Sequence, residues 1–191
     1  IRIAQSAARR LIDKTHFAMA QQDVRYYLNG TLLETQGKTL RAVATDGHRL
    51  SLAEAELAQA VTGTQQVILP RKGVLELQRI LGNEGEVELS IGSNHIRAQG
   101  GEISFTSKLI DGKFPEYGRV IPANPPRTMT AARDALRQAL QRTSILSNEK
   151  YRGVRLTFGT NLLTIQAHNP EQEEAEDQVE VGFSGDEIEI G

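Results

Sequence analysis

The sequence predicts an α+β protein with antiparallel hairpins and a few helices. Three segments place apolar residues at helical spacing, and groups of short β-rich segments with turn signals lie between them. A proline-rich stretch then interrupts the chain, and the opening order of helix and strands recurs after it. These observations indicate two structural units with a related pattern.

The three predicted helices are identified by one apolar face each. The first covers Ala4 to Thr15, with Ser6 as its candidate N-cap. The second covers Arg71 to Leu81, and Pro70 suits its first turn because proline lacks the N–H that a helix start leaves unpaired. The third covers Thr130 to Leu146.

Strand-like segments follow the first two helices. A turn signal at Gln36-Gly37-Lys38 separates the first two of them. The predicted strands are Tyr27 to Thr35, Leu40 to Thr45, Arg49 to Leu57, Gln66 to Leu69, Glu86 to Ile91, His95 to Gln99 and Glu102 to Ser107.

A linker is predicted at Ile121 to Pro126, which holds three of the six prolines. After the third helix the earlier hairpin pattern returns, and Gly30 to Gly47 aligns with Gly153 to Pro170. The hairpin strands there are Val154 to Phe158 and Leu163 to Ala167. A further strand is predicted at Glu187 to Ile190. At the corresponding point, after Gln66 to Leu69, the first unit continues into a helix. We therefore expect the second unit to be incomplete in this sequence.

The composition is that of an ordinary soluble globular protein, with 39% hydrophobic and 24% charged residues in 191. Cysteine is absent, which excludes disulfide scaffolds, cysteine-ligated zinc and thiol catalysis. No apolar run approaches the ~18 residues that a membrane helix needs. The amino terminus lacks a signal-peptide pattern, so we expect a cytoplasmic protein.

Basic residues are concentrated on the predicted helices. Each helix carries three basic residues and one acidic residue, so the three together hold +6, while the whole chain is −2 and the remainder is therefore −8. This asymmetry favours a polyanionic partner on the helix side. The alternative is that lysine and arginine, which are good helix formers, simply occupy solvated faces.

Motifs for catalysis are missing. The sequence has no phosphate loop, no nucleophile elbow and no H-E-x-x-H. Asp46 and His48 suggest an acid–base pair, but no nucleophile motif accompanies them. The acidic run from Glu171 to Asp177 is more typical of a solvated loop than of a metal site. We expect no catalytic residue, no metal and no cofactor.

Four stretches carry a resemblance to one family. The sequence resembles the beta subunit of bacterial DNA polymerase III, the sliding clamp, over essentially its whole length. The matching stretches are QDVRYYLNGTLLET (Gln22 to Thr35), VATDGHRL (Val43 to Leu50), FTSKLIDGKFPEYGRVIP (Phe105 to Pro122), and SNEKYRGVRL (Ser147 to Leu156) followed by HNPEQEEAE (His168 to Glu176).

The resemblance implies a DNA-clamp fold with antiparallel sheets outside and basic helices lining the inner face. In the family, three similar domains form a chain, and two chains close head to tail into a homodimer ring around duplex DNA. Residues 1–122 are similar to the middle domain and residues 123–191 to the first half of the C-terminal domain. A closed ring is therefore not expected for this chain alone.

The resemblance also implies site residues and partners. The partners are duplex DNA, bound without sequence preference, and polymerase subunits, clamp-loader and repair proteins, bound through short peptide motifs; no membrane is involved. The implied peptide-binding residues are Leu28, Thr45, Gly47, His48, Arg49, Leu50, Pro115, Arg119 and Val120. The implied DNA-binding residues are Gln22, Arg25, Tyr26, Tyr27, Lys72, Tyr151 and Arg152, and the implied subunit interface is Ile145 and Leu146.

Two other functions stay open at this point. An enzyme would use Asp46 and His48 on the same α+β scaffold. A peptide-binding adaptor without DNA would agree with the net charge of −2. Turnover and salt-dependent duplex binding distinguish these alternatives from a clamp.

Overall fold

The computed structural model describes residues 1–148, 150–171 and 173–191. The chain divides into two compact units, Ile1–Tyr117 and Gly118–Gly191. Glu149 of the SNEKYRGVRL stretch and Gln172 of the acidic run lie outside the described residues. The assignment of these units to particular domains of a longer protein stays a prediction.

The first unit contains two helices and six strands. Short 3-10 helices at His16–Ala18 and Tyr26–Leu28 connect the first helix to the strands. In chain order the regular elements are β1 (Arg2–Ala4), α1 (Gln5–Thr15), β2 (Gly30–Thr45), β3 (Leu50–Pro70), α2 (Arg71–Ile80), β4 (Glu86–Ile91), β5 (His95–Gly100) and β6 (Ile103–Lys108).

Both helices form where the apolar spacing predicts them, with one correction. Ala4 is the N-cap of α1 and no side chain caps it, so the prediction of Ser6 as N-cap is wrong. The backbone N–H of Gln5 instead donates to Gly85 O at 2.9 Å, which satisfies a donor at the start of the helix. Pro70 precedes the first residue of α2 in an extended conformation, as a residue at the N-cap should.

One antiparallel sheet of the first unit has the strand order β1-β4-β5-β6. Its three hairpin-connected strands lie within a residue of their predicted bounds. Buried Val87, Leu89, Ile96 and Ala98 alternate with exposed residues along β4 and β5. This alternation places one face of the sheet in the core.

The second sheet of the first unit is formed by β2 and β3, whose pairing shifts register around Gly37. Arg41 Nη1 donates to Glu34 Oε1 at 2.6 Å. Seven residues of straight strand would separate these residues by ~23 Å, so β2 must fold back between them. Gly37, with φ of 56°, supplies the left-handed conformation for this reversal.

Burial agrees with the reversal in β2. Leu33 and Ala42 share one apolar cluster, whereas Leu32 and Val43 share another. In a straight strand, residues nine or eleven positions apart would lie on opposite faces. The predicted turn at 36–38 is therefore a true reversal within β2. The half of β2 before the turn pairs with the end of β3, and the half after the turn pairs with the start of β3.

Three of the predicted strands have clearly different bounds in the structure. The strand predicted from Tyr27 begins only at Gly30, because Tyr27 lies in a 3-10 helix. The strands predicted at 49–57 and 66–69 belong to one element, β3, which continues between them. In the polar middle of β3 the pairing with β2 shifts register twice, with Val61 opposite Gly37 between the two shifts.

The second unit is a five-stranded antiparallel sheet with one helix. In chain order the elements are β7 (Thr130–Ala131), α3 (Arg133–Thr143), β8 (Arg155–Gly159), β9 (Leu162–His168), β10 (Glu174–Gly182) and β11 (Ile188–Ile190). The strand order is β11-β8-β9-β10-β7, and Ala139 of the helix is fully buried with Leu163 and Ile165 of the sheet.

The helix predicted from 130 to 146 is shorter in the structure. Thr130 and Ala131 pair with β10 as a strand, and Ser144–Leu146 forms a 3-10 helix after α3. The acidic run is also only partly a loop, because β10 begins at Glu174. Residues 121–126 contain no helix or strand, as the prolines predict. Among the described residues, no helix has the length and apolarity required to span a membrane.

Candidate functional site

The turn between β2 and β3 contains five of the predicted peptide-binding residues, from Thr45 to Leu50 with Asp46 among them. Thr45 Oγ1 donates to Arg49 O at 2.7 Å and accepts from Gly47 N at 3.1 Å. Asp46 Oδ1 accepts from the backbone N–H of His48 and of Arg49, both at 3.0 Å. The two ends of the turn are thus closed by side chains, which fixes its shape.

Asp46 acts as the centre of this turn. Its Oδ2 also accepts from Arg49 Nε at 3.1 Å. Burial alone would raise the pKa of Asp46, but the hydrogen bonds from Arg49 and His48 and the charge of Arg49 lower it below its usual value. His48 contacts the carboxylate through its backbone N–H. This arrangement holds an ionised turn residue, which is not the geometry of an imidazole–carboxylate pair.

Gly47 needs the freedom of glycine. Its φ of 90° lies in the left-handed region, and a Cβ built there would come within 3.1 Å of the Arg25 guanidinium. Arg25 Nη2 also donates to Asp46 O at 3.3 Å. A predicted DNA-binding residue therefore lies directly against the predicted peptide-binding turn.

Phe17 is a site residue that the sequence analysis did not select. It is half exposed, and the guanidinium carbon of Arg49 lies 5.8 Å from the centre of its ring. A cation over an aromatic face is attracted to it, so Phe17 helps to hold the Arg49 side chain. An aromatic residue placed just after a basic helix was the only signal in the sequence.

The predicted apolar peptide-binding residues of the first unit differ in their burial. Leu28 is buried, and Leu50 is half-buried in a cluster with Phe114 and Ile68. Residues 109–117, which we call the strap, run over this cluster and carry exposed Pro115 next to buried Phe114. The structure thus brings Leu50 and the strap together over one apolar cluster.

Arg119 and Val120 belong to the second unit. Both side chains are exposed, Val120 at 68%. Their assignment to the peptide-binding site stays a prediction that rests on the resemblance.

Four predicted DNA-binding residues of the first unit follow one another before β2. Arg25 forms a two-point ion pair with Asp23, with Nε–Oδ1 at 3.0 Å and Nη2–Oδ2 at 2.8 Å. The hydrogen bonds from Arg25 lower the pKa of Asp23 to about 2. Tyr26 is 56% exposed and packs edge-to-face on Tyr27, with ring centres 5.8 Å apart. Gln22 adopts a φ of 56°, which is uncommon for a residue with a side chain.

Several helical cations have no counter-ion in the part of the chain that the structure describes. Arg9, Arg79 and Arg142 make ion pairs with Asp13, Glu76 and Asp177 respectively. In contrast, five helical cations make no ion pair with any described residue, and they are Arg10, Lys14, Arg71, Lys72 and Arg137. Exposed, unneutralised cations of this kind are suited to phosphate contacts.

The remaining predicted residues lie in the second unit, around the end of α3. Arg152 has a φ of 49° and lines a groove with Arg133 and Arg137 of α3. Tyr151 is 74% exposed, with Lys150 Nζ 5.2 Å from its ring centre. Ile145 is 78% exposed, which is unusual for isoleucine, and Leu146 is half-buried. Within the described part of the chain, no three acidic or histidine side chains are grouped to hold a metal ion.

Two family models match the chain in succession. The model described as the DNA polymerase III beta subunit, central domain, matches residues 2–116. The model described as the C-terminal domain of the same subunit matches residues 118–191.

Curated relatives and solved structures agree with these matches. The beta sliding clamps of Pseudomonas aeruginosa and Escherichia coli are 58% and 54% identical to this chain over 190 residues, which is 99% of the chain and 52% of each relative. The chain thus spans about half the length of the curated relatives it matches. A crystal structure of the P. aeruginosa clamp superimposes with a TM-score of 0.95 over 100% of this chain and 53% of the other. The Bartonella birtlesii clamp bound to griselimycin, at 38% identity, gives 0.90 over 100% and 52%.

Proposed function

Since this chain belongs to the family of the DNA polymerase III beta subunit, the bacterial sliding clamp, we propose that it serves as a processivity clamp. In this function it holds duplex DNA without reading its sequence, and it presents a peptide-binding site to polymerases, clamp loader and repair proteins. It catalyses no reaction and acts in the cytoplasm. Residues 1–122 supply the middle domain, and residues 123–191 supply part of the C-terminal one.

The observation that carries this proposal is the ordered match of two successive family models along the whole chain. The models cover residues 2–116 and 118–191. Relatives of more than 50% identity from several bacteria bear the same name. Two adjoining matches in the right order are a far more specific signal than any single motif.

Unpaired helix cations support the DNA-binding half of the proposal. Phosphate contacts position a protein on DNA without carrying sequence information, so they permit sliding. Lys72, Arg10 and Lys14 of the first unit and Arg137 of the second have no ionic partner among the described residues. In the full ring, exposed Ile145 and half-buried Leu146 would contact the next subunit.

The closed turn and the apolar strap support the peptide-binding half. Leu50 and Pro115 offer apolar surface, while His48 and Arg49 supply donors at its edge. A rigid turn lowers the entropy lost on binding. That a relative was crystallised with griselimycin agrees with a ligand-binding surface in this family.

Truncation of Leu50 tests the peptide-binding site. We expect Leu50→Ala to weaken binding of a labelled peptide with two leucine anchors about tenfold, because half the burial of one anchor is worth ~1–1.5 kcal/mol. Fluorescence anisotropy with the 191-residue chain measures the affinity, and circular dichroism checks the fold.

The matched control is Leu75→Ala, which removes a similar side chain from the exposed face of α2. This variant should bind the peptide as the parent chain does. Equal affinities of all three proteins would show that the peptide does not use the Leu50 surface, and the proposed site would be wrong.

A further inference from the structure

A row of polar residues crosses the sheet of β2 and β3. Its members come from four paired segments, since Glu34 is opposite Gln66 and Arg41 is opposite Glu54 in the strand register. Gln66 Nε2 donates to Glu34 Oε2, and Arg41 Nε donates to Glu54 Oε1 at 2.6 Å. The Arg41–Glu34 ion pair of 2.6 Å joins the two halves of the row.

Tyr117, the last residue of the strap, completes this row. Its hydroxyl donates to Glu34 Oε1 at 2.8 Å and accepts from Arg41 Nη1 at 2.8 Å. The Arg41 guanidinium carbon also lies 6.0 Å from the centre of the Tyr117 ring. One phenol thus satisfies both a cation and a carboxylate, and its ring packs on the apolar cluster beneath.

Loss of one member of the row would lower stability, because Glu34 is a buried carboxylate that needs its hydrogen-bond donors. Only 9% of the Glu34 side chain is exposed. Burial alone would raise its pKa, but hydrogen bonds from Gln66 and Tyr117 and the charge of Arg41 together lower it below the usual value. A buried carboxylate that is ionised in this way holds its donors tightly.

The strap is fastened at both ends. At its start, Leu109 N donates to Asn94 O and Ile110 N donates to Ile68 O, each at 2.9 Å. At its end, the Tyr117 hydroxyl is bound as described above, and Tyr117 N donates to Pro115 O at 2.7 Å. Pro115 lies between these two attachments, next to buried Phe114 and two residues before Tyr117, so the polar row holds the chain directly after it.

We propose that Tyr117, together with Glu34 and Arg41, positions the strap so that Pro115 and Leu50 form one binding surface for apolar peptides. These three are positioning residues, because none of them needs to touch the peptide. The inference rests on the proposed function for the peptide, but the fastening of the strap itself is independent of any ligand. Loss of the hydroxyl should therefore release the strap and weaken the site while the fold persists.

The test is Tyr117→Phe in the 191-residue chain, which keeps the ring on the apolar cluster and removes only the hydroxyl. Hydrogen exchange by mass spectrometry follows the strap amides, and anisotropy follows the two-leucine peptide. We expect strap exchange to become about tenfold faster and peptide affinity to fall about tenfold, since a hydrogen bond to a charged group is worth about one decade. Affinity for a random duplex should not change, whereas general destabilisation would lower both affinities.

A second variant and its control distinguish release of the strap from a general loss of stability. Glu34→Gln removes the charge that Tyr117 and Arg41 share, and it should affect the strap in the same direction. Glu88→Gln removes the carboxylate of an exposed ion pair with Arg2 in the other sheet, and it should leave strap exchange and peptide binding unchanged.

Each outcome has a distinct meaning. Unchanged strap exchange in Tyr117→Phe would overturn the fastening, whatever the peptide does. Faster exchange with unchanged peptide affinity would overturn the positioning of the site. If the parent chain bound no peptide at any concentration, the proposed function of this surface would fail, and the claim that the row serves a peptide site would fail with it.

Discussion

Thr31 is a buried hydroxyl without a partner. Its Oγ1 has no hydrogen bond to any described residue, and it lines a small cavity with Leu33, Leu40 and Leu69. A buried polar atom left unsatisfied costs about 1–3 kcal/mol, and a water could not be held there by one hydroxyl alone. The residue is thus a local defect in an otherwise apolar core.

We expect Thr31→Val to stabilise the chain. Valine has nearly the same shape but lacks the hydroxyl, so the free energy of unfolding should rise by about 1 kcal/mol. Urea unfolding followed by circular dichroism measures the change. Thr106→Val, on an exposed position of β6, is the control and should alter stability by less than about 0.5 kcal/mol. A Thr31→Val chain no more stable than the parent would mean that the hydroxyl has a partner.

At the scale of elements, the Arg41–Glu34 pair holds the two halves of β2 together. Arg41→Gln should lower the free energy of unfolding by about 2 kcal/mol at pH 7, because it leaves the Glu34 carboxylate buried without a cation. This figure is below the range for fully buried pairs, since 27% of the Arg41 side chain is exposed.

The cost of Arg41→Gln should depend on pH. The pKa of Glu34 in the folded chain lies below its usual 4.5, so the stabilisation is complete above that value and is lost as the pH falls through the lowered pKa. The difference between parent and variant should thus shrink below about pH 4. Arg2→Gln, which breaks an exposed pair, should cost under about 1 kcal/mol. A pH-independent cost for Arg41→Gln would contradict this explanation.

Elements with a strong local period were predictable from the sequence, and those decided by distant contacts were not. β4, β5 and α2 lie within a residue of their predicted bounds, because alternation and the Pro70 start are local signals. The two-residue β7 is a strand only through pairing with β10, and the two predicted strands within β3 pair with different halves of β2. No local pattern carries that information.

The same division holds in the candidate site. The motif from Val43 to Leu50 identified the turn residues, including Gly47 with its left-handed backbone. The contacts of Phe17 and Tyr117 join residues 32 and 83 positions apart, counted from Arg49 and Glu34. Such contacts exist only after folding, so the sequence did not reveal these supporting residues.

At the scale of the whole molecule, the total charge is a poor guide to the partner. The chain carries −2, yet its three helices hold six positive charges in excess. Several of these cations are exposed and without ionic partners among the described residues. A local concentration of cations binds phosphates even when the net charge is negative, although its range is limited by salt screening.

The most direct test of the account is the salt dependence of duplex binding by the 191-residue chain. We predict that the logarithm of affinity falls linearly with the logarithm of salt concentration, with equal slopes for two unrelated sequences. Lys72→Gln and Arg10→Gln should each reduce the slope by about 1, because each removes one phosphate contact. Absence of binding at low salt, an affinity unaffected by salt, or a strong preference for one sequence would contradict a clamp that holds DNA through its helices.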